Sequence, residues 1–498
     1  MGKYFAAGMF AAGVAVAAAC GTLTASAEGY QVNSFSARQT GMGHTGVALK
    51  LGAESQLFNP GAMAFTDKKL DVSAGMSAIK ASAYCTHDGR EWETSNKIST
   101  PFNFAASFRI WDELYAGIAL YTPYGSSINW GKGWPGATLS QSVSLQVFTV
   151  QPTIAWHCSD KFSIGAGLMI SWGSVDLSKG LVTWDTASKL GDIAWQAAAL
   201  KHQLDPSSPS PGERPAEPSD KNIPPASVNL KGTSDLALGF SVGLMYNIDK
   251  RWTLGASLRS EMSMRVKKGD ASVTYDAAPL IENVLRQNLD EMNSTNFSAS
   301  MPCPYVFTVG GAYRPADNVE IALDVQLNGW ASYDYLDIKF AGLPKFDQKI
   351  KKDYRDAMTF HLGAQWGVTK RLDLRAGMMI DLSPCNTDYY NPETPAMTKI
   401  EPTIGLTFRP TKRLAIDLAF MYIKGMGVQN AVGQTDQKSF AQGYSAAVDQ
   451  YNATVAALNA MGMQIPSYPK AEIPATAEFR ADYAVHAIVP AIGLSYSF

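Results

Sequence analysis

Apolar and polar residues alternate along most of this chain, in runs that begin near residue 70 and continue to the last residue. From Asn318 to Asn328, Val319, Ile321, Leu323, Val325 and Leu327 alternate with Glu320, Ala322, Asp324 and Gln326. From Arg371 to Leu382, Leu372, Leu374, Ala376, Met378 and Ile380 alternate with Asp373, Arg375, Gly377, Met379 and Asp381. From Phe162 to Gly173 the apolar set is Phe162, Ile164, Ala166, Leu168, Ile170 and Trp172, and Gly and Ser dominate the other set. Period two puts one set on each face of a strand. Runs of about 10–12 residues suit strands tilted across a hydrocarbon layer and exceed the ordinary ~5–6. The polar set is rich in Gly, Ser and charge, which the core of a soluble sandwich could not bury without partners. Lipid offers no hydrogen bonds to a free strand edge, so the sheet must close. The predicted fold is all-β, a transmembrane antiparallel β-barrel.

Two further patterns support it. Trp156, Tyr246, Trp252, Tyr313 and Trp366 end the apolar runs at one rim, and Trp172 and Trp330 do so at the other, as in aromatic girdles. Connections alternate in length: tight polar turns at 158–161, 248–251, 314–317, 368–370 and 409–412 separate long segments. The count comes to about fourteen strands, an even number. With the N-terminus periplasmic, the short turns face the periplasm and long loops near 177–232, 266–302 and 424–478 face outward. The stretch 205–225 is proline-rich and reads as flexible and solvated. Leu280, Ile281, Val284, Leu285 and Leu289 fall at helical spacing, and 441–461 carries a weaker helical pattern. Such helices pack over the mouth or form a groove that catches apolar ligands.

Composition narrows the class. At 498 residues the chain is long enough for roughly three soluble domains, yet no change of style divides it. It is 46% hydrophobic and 17% charged, with net charge -2, which leaves no footprint for nucleic acid. A mean hydropathy of -0.09 is too low for helical spans and fits a wall with apolar groups at every second residue.

The N-terminus reads as a secretory signal: Lys3, an apolar run from Phe5 to Ala19, then Ala25-Ser26-Ala27. Cleavage is expected after Ala27, giving residues 1–27 as signal, 28–69 as a compact non-alternating segment and 70–498 as the barrel. Cys20 as a lipid-bearing cysteine is the rival reading; the usual Leu before it is missing. Cys85, Cys158, Cys303 and Cys385 remain, either as free thiols or with one bridge among Cys85, Cys303 and Cys385. No His cluster accompanies them, so no metal site is expected. The six histidines make no H-E-x-x-H, so no catalytic residue is named and an enzyme is not expected.

The segment 28–69 holds Asn33 to Gly46, with Gly41, Gly43 and Gly46, and then Phe58-Asn59-Pro60-Gly61-Ala62. A compact glycine-rich segment before a barrel suits a plug in the lumen. With Arg259-Ser260, Gly329-Trp330-Ala331-Ser332, Leu374-Arg375-Ala376-Gly377, Asp381-Leu382-Ser383-Pro384 and the terminal Phe498, these stretches resemble the FadL family of outer-membrane transporters of long-chain fatty acids and hydrocarbons. The resemblance spans essentially the whole mature chain. The family pattern reads Asn-Pro-Ala where this chain has Asn59-Pro60-Gly61.

The resemblance implies a fourteen-stranded barrel with an N-terminal hatch that includes Gly41, Gly43, Gly46, Asn59 and Pro60. It implies capture of ligand at outer loops, transfer to a lumenal pocket and sideways exit at a kink in the third strand. That strand is expected from about Leu114 to Gly125. Its Pro123 cannot donate to the ladder and marks either the gap or the strand's upper end. Basic residues in the lumen, Arg259 and Arg375 with Arg109 and His361 behind them, are candidates to hold a carboxylate head group. Their alternative role is pairing with Glu261, Asp373 or Asp381. Leu280, Leu285 and Leu289 are candidates for the capture groove. The expected partners are a long-chain fatty acid or other hydrophobic ligand, outer-membrane lipid and lipopolysaccharide, and the barrel-assembly machinery, which the C-terminal Phe498 would address. A monomer without cofactors is expected. The alternative is a barrel of this kind serving as a protein-secretion scaffold; a general diffusion porin is a third reading.

Overall fold

The computed structural model of the chain describes residues 29–66, 68–216 and 218–498. The expected signal segment, residues 1–27, therefore lies outside the described residues. Twenty-two hydrogen-bonded strand segments form one sheet, and several are two halves of a single pass. Together they make fourteen antiparallel passes. The last strand, Thr476–Ser497, pairs with the first at Asp71↔Ser497 through Ser77↔Ala491, which closes the ring. Phe498 N donates to Leu70 O at 2.8 Å at the seam.

The alternation resolves as expected. Ile164, Leu168, Leu323, Leu374 and Met378 are exposed on the outer wall. Their neighbours Ser163, Asp324, Asp373 and Arg375 are buried inside. Apolar groups on the outside and polar groups within is the reverse of a soluble protein, and it is stable only where lipid covers the wall. Trp156 and Trp366 are exposed at the rim of short turns, and Trp252 stacks on Tyr313 at 4.3 Å between centroids. Trp330 departs from expectation. It is fully buried, in the short helical turn Trp330–Ser332 that follows the strand Val319–Asn328 and folds inward. The alternation ends at Asn328, so its extrapolation to Trp330 fails.

The loops are shorter than expected, because pairing continues past the hydrocarbon zone. The strand Met262–Tyr275 pairs with Ala226–Thr233 across much of the stretch expected to be loop. It carries Arg265, Lys267 and Lys268. Above the membrane the outer face meets water, so the apolar set is no longer required and the sequence signature fades. Three helices crown this rim: α1 (Trp184–Leu204), α2 (Pro279–Leu289) and α3 (Lys438–Ala460). α1 stands within the stretch 177–232 that was expected to be loop. Thr183 caps it by accepting from Thr186 N. The proline-rich stretch after it is tied down by Trp184 Nε1 to Ile223 O at 2.6 Å and Arg214 Nε to Asp192 Oδ1 at 2.5 Å. Leu190 and Ile193 of α1 pack against Tyr444 and Val448 of α3. Ile281 of α2 sits so close to α1 that a Cβ on Gly191 would lie 2.6 Å from it.

The N-terminal segment lies inside the ring. Its short helical turns Ala37–Thr40, Gly52–Glu54, Ser55–Phe58 and Pro60–Phe65 bond to strands around the wall. Gly43 N donates to Thr403 Oγ1 at 3.0 Å. Gly46 N and Val47 N both donate to Asp324 Oδ2, at 2.6 and 3.0 Å. Asn59 Nδ2 donates to Leu244 O at 2.8 Å, and Gln151 Nε2 to Gln56 O at 2.9 Å. The inner wall is glycine where the segment's backbone touches it. A Cβ on Gly377 would lie 2.2 Å from Gly43 N, and one on Gly255 2.0 Å from Val47 O. Gly43 itself has φ +64, a left-handed conformation that glycine adopts without a steric penalty. Asn59 accepts from Gly61 N, with Pro60 opening the next turn. Gly41 approaches Gly405 and Pro60 approaches Gly165, both at backbone contact.

All four cysteines of the described residues are free, with Cys85 and Cys303 buried and Cys158 exposed. Among the described residues no group of three His, Cys, Asp or Glu side chains is gathered to hold a metal ion.

Candidate functional site

The third pass of the wall, Leu114–Asn129, is irregular at its middle. Its pairing with the second pass, Phe102–Arg109, stops at Asn103↔Tyr121. On its other side the register with the fourth pass, Ser142–Ser159, shifts between Tyr121↔Thr149 and Tyr124↔Val147, leaving one extra residue around Pro123. Proline has no N–H to give the ladder, and a bulge absorbs the loss. Beyond the bulge the edge facing the second pass is taken up from inside by the N-terminal segment. Val32 N donates to Pro123 O at 3.0 Å, Gly125 N donates to Tyr30 O at 2.8 Å, and Gln31 bridges Tyr124. Pro123 and Gly125 are thus where the wall is completed by the segment rather than by its neighbour strand.

Tyr30 carries its ring into an aromatic cage. Its centroid lies 5.0 Å from Trp330, 6.0 Å from Tyr124 and 6.0 Å from Tyr333, in edge-on geometry. Its hydroxyl donates to Pro302 O. Edge-to-face rings at this spacing attract one another beyond simple burial. The cage is continuous with an apolar cluster that runs up under α2. Within that cluster lies a small apolar cavity, about 40 Å³, lined by residues including Leu145, Val147, Leu177, Val266, Phe297 and Ile338. Val147 pairs with Tyr124, so the pocket wall adjoins the bulge. A cavity of this size is far smaller than a small-molecule site, so a ligand enters it only if the side chains around it move apart.

Sequence reasoning named some of these residues and missed others. Arg259 ends the strand Trp252–Arg259, and its guanidinium lies over the Phe35 ring, 4.8 Å from the centroid. Phe35 in turn packs on Tyr121, just before the bulge, at 5.5 Å. Among the described residues Arg259 closes no ion pair with a carboxylate. Beside it, burial, His361 and Arg259 itself hold the His44 imidazole well below its ordinary pKa. His44 is therefore neutral, consistent with its Nε2 accepting from Phe35 N at 3.3 Å.

Arg375 stands elsewhere. Its guanidinium donates to Gln365 Oε1 at 2.8 Å and Asp417 Oδ1 at 3.3 Å, bonds Thr407, and lies 3.7 Å from Asp373. Its fork is engaged by the wall, which is the pairing role weighed above. Arg109 lies 3.9 Å from Asp112 at the short-turn rim, and His361 Nδ1 bonds Gly43 O at 2.9 Å. Leu285 and Leu289 are fully buried on the inner face of α2, and Leu280 is half-buried. They roof the apolar cluster rather than line an open groove.

Tyr30 and Tyr333 were not singled out. They sit in stretches without period, and only the fold gathers them.

Comparison with known proteins agrees with this architecture. The profile of the family described as "Outer membrane protein transport protein (OMPP1/FadL/TodX)" matches residues 18–464. A long-chain fatty acid transport protein of Escherichia coli is 23% identical over 434 residues, covering 84% of this chain and 92% of that protein. Outer membrane protein P1 of Haemophilus influenzae is 20% identical, over 64% of each chain. Among solved structures, a FadL homologue of Pseudomonas aeruginosa aligns with TM-score 0.69 at 17% identity, covering 94% of this chain and all of that one. The toluene transporter TodX of Pseudomonas putida aligns with TM-score 0.62 at 16% identity, over 94% and 99%. Fourteen passes, an occupied lumen and a family match across most of the chain lead to one conclusion: this chain belongs to the FadL/TodX family of outer-membrane transport proteins.

Proposed function

We propose that the protein moves long-chain fatty acids, or similarly apolar small molecules, past the polar outer surface of the membrane and releases them sideways into the lipid. The observation that carries this reading is the third-strand bulge, closed among the described residues by residues 30–32 and adjoining an apolar cavity. A sideways path suits apolar cargo. Each buried methylene favours an apolar surrounding by ~0.8 kcal/mol, so the hydrocarbon layer is where the cargo is stable and only the polar surface needs a protein route. Ligand reaches the cavity when α1 and α2 part. It then displaces Tyr30 from its cage, and the loss of the Tyr30 and Val32 backbone bonds opens the wall beside Pro123 and Gly125. The segment from 29 to 66 acts as a hatch against open flow of ions and water. Arg259, unpaired by any carboxylate among the described residues and stacked on Phe35 next to the bulge, is the group to hold an acidic head on its way out.

The test is uptake of a labelled long-chain acid by cells that express the protein and lack their own uptake route. The wild type should restore uptake. Replacing Tyr30 with Ala should loosen the closure and raise single-channel conductance. Arg259→Ala should weaken the acid by about 1.5–3 kcal/mol, the range for a hydrogen bond to a charged group, and spare a neutral hydrocarbon. If the wild type neither binds nor takes up acid or hydrocarbon, this reading fails and a polypeptide-handling scaffold takes its place.

A further inference from the structure

The strand Met262–Tyr275 turns the pattern of the wall inside out. Its inward residues Met262, Met264 and Val266 are buried and apolar, while Arg265, Lys267 and Lys268 are exposed on the outer face. Side chains alternate along a regular strand, so two successive lysines on one face need a local break. Pairing with the next strand, Asn296–Cys303, provides it. The register runs from Val266↔Ala299 to Gly269↔Phe297, which sets two residues, Lys267 and Lys268, against the single residue Ser298. This is a bulge, a device that re-aims side chains.

A fourth cation joins from the strand beyond. Ser298 pairs with Lys339 of the strand Tyr335–Phe340, and Arg265 pairs with Ser300. Lys339 and Ser300 are exposed on the same outer face. Three neighbouring strands span about 10 Å, so the four charged ends share one small area. Lys267 Nζ lies 2.5 Å from Asp235 Oδ2. Arg265, Lys268 and Lys339 close no ion pair among the described residues. Nearby carboxylates have cations of their own: Asp270 lies opposite Lys231, and Asp337 opposite Lys349. Like charges held this close repel one another, and an anion shared among them relieves that repulsion.

The cluster stands at the top of the lipid-facing wall. Asp235 N donates to Arg265 O at 2.9 Å. From there the chain descends through Leu236, Leu238 and Phe240, each more than half exposed. Ser263 Oγ and Ser300 Oγ, 2.7 Å apart, add hydroxyls beside Arg265. A ligand here meets positive charge above and bare hydrocarbon below.

We propose that Arg265, Lys267, Lys268 and Lys339 form a docking site for the phosphorylated head of an outer-leaflet glycolipid, the lipid A part of lipopolysaccharide, whose acyl chains run down over Leu236, Leu238 and Phe240. Charge complementarity selects the phosphates: the Arg265 fork takes two oxygens side by side and the lysines act as point charges. The apolar wall selects a lipid over a free phosphate, which would meet the cations alone. The site lies outside the lumen and is independent of what the barrel carries.

The experiment titrates purified full-length barrel with bisphosphorylated lipid A, and with the same lipid after removal of both phosphates, in mixed micelles. A chelator is present, so that no divalent cation bridges phosphate to Asp235 or Asp270. Wild type is compared with the triple variant Arg265→Gln, Lys268→Gln, Lys339→Gln. A control triple variant carries the same charge change at the short-turn rim: Lys161→Gln, Lys250→Gln, Arg251→Gln, all exposed. Each protein is first shown to be heat-modifiable. The site variant should bind bisphosphorylated lipid A at least tenfold more weakly than wild type, and the control should stay within twofold. The dephosphorylated lipid should bind all three proteins alike. Inorganic phosphate at ten times the lipid concentration should not displace the lipid. Equal binding by wild type and the site variant overturns the inference, as does an equal loss in the control, and displacement by inorganic phosphate overturns the lipid as occupant. Should the triple variant fail to fold, Lys268→Gln alone decides: it should weaken the phosphorylated lipid and spare the dephosphorylated one, and unchanged binding of both overturns the inference.

Discussion

Replacing Asp324 with Ala should loosen the N-terminal segment from the wall without unfolding the barrel. Asp324 is 2% exposed on the ninth pass and receives Gly46 N at 2.6 Å and Val47 N at 3.0 Å on one oxygen. A hydrogen bond to an ionised group contributes about 1.5–3 kcal/mol, so the two together contribute about 3–6 kcal/mol. Lumenal water can partly re-solvate the two freed N–H groups once the segment shifts, which favours the lower end, about 3 kcal/mol. At about 1.4 kcal/mol per tenfold, that is roughly a hundredfold in the ratio of docked to undocked segment. The other anchors stay in place: Gly43 N on Thr403, Asn59 Nδ2 on Leu244 O, and Gln151 on Gln56 O. The release is therefore local to residues 43–48. Asp324→Asn keeps an acceptor oxygen and loses the charge, and should show about half the effect. Single-channel conductance in a planar bilayer reads the opening, and protease cleavage within 41–60 reads the exposure of the segment. Wild-type conductance and wild-type protection in Asp324→Ala, with the barrel intact on gels, would refute the anchoring argument.

Glu54 provides a pH test of the same segment: burial, then the nearby Asp417, raises its carboxyl from 4.5 to about 7, against the opposing bond from Ser36. A raised carboxyl pKa means the docked state holds the proton more tightly. Its contribution to docking is full below about 4.5 and is lost as pH rises through about 7. Conductance should accordingly rise between pH 4.5 and 7, and Glu54→Gln should flatten that rise; an equally steep profile in the variant would count against it. Leu285→Ala should destabilise the α2 roof by about 2–4 kcal/mol, because the side chain is fully buried, seen as faster amide exchange across 279–289; exchange at the wild-type rate would show that the roof does not depend on it. A maleimide should label Cys158 in the folded protein and reach Cys85 and Cys303 only after heating, given their burial. Labelling of all of them at equal rates would contradict the packing.

The sequence by itself determined the wall. Each strand sees lipid on one side and a polar lumen on the other, so period two is imposed locally and survives in every hydrocarbon-facing pass, from Ile164 and Leu168 to Leu374 and Met378. The short turns were legible for the same reason, and so was the α2 stripe of Ile281, Leu285 and Leu289. Above the membrane the outer face is wetted and that constraint ends. There the strand Met262–Tyr275 read largely as loop, and α1, interrupted by Gly191 and followed by prolines, read as part of a long loop. Only the closed barrel decided what meets inside it. Trp330 turns into the lumen because the strand stops at Asn328. Arg375 is engaged because the ring sets Asp417 and Thr407 beside it. Tyr30 meets Trp330 and Tyr333, and Lys352 meets Glu393, across distances in sequence that no local pattern spans. Periodicity reports what each residue faces on average, lipid or lumen; which lumenal partner it finds depends on closure and register, which belong to the whole chain.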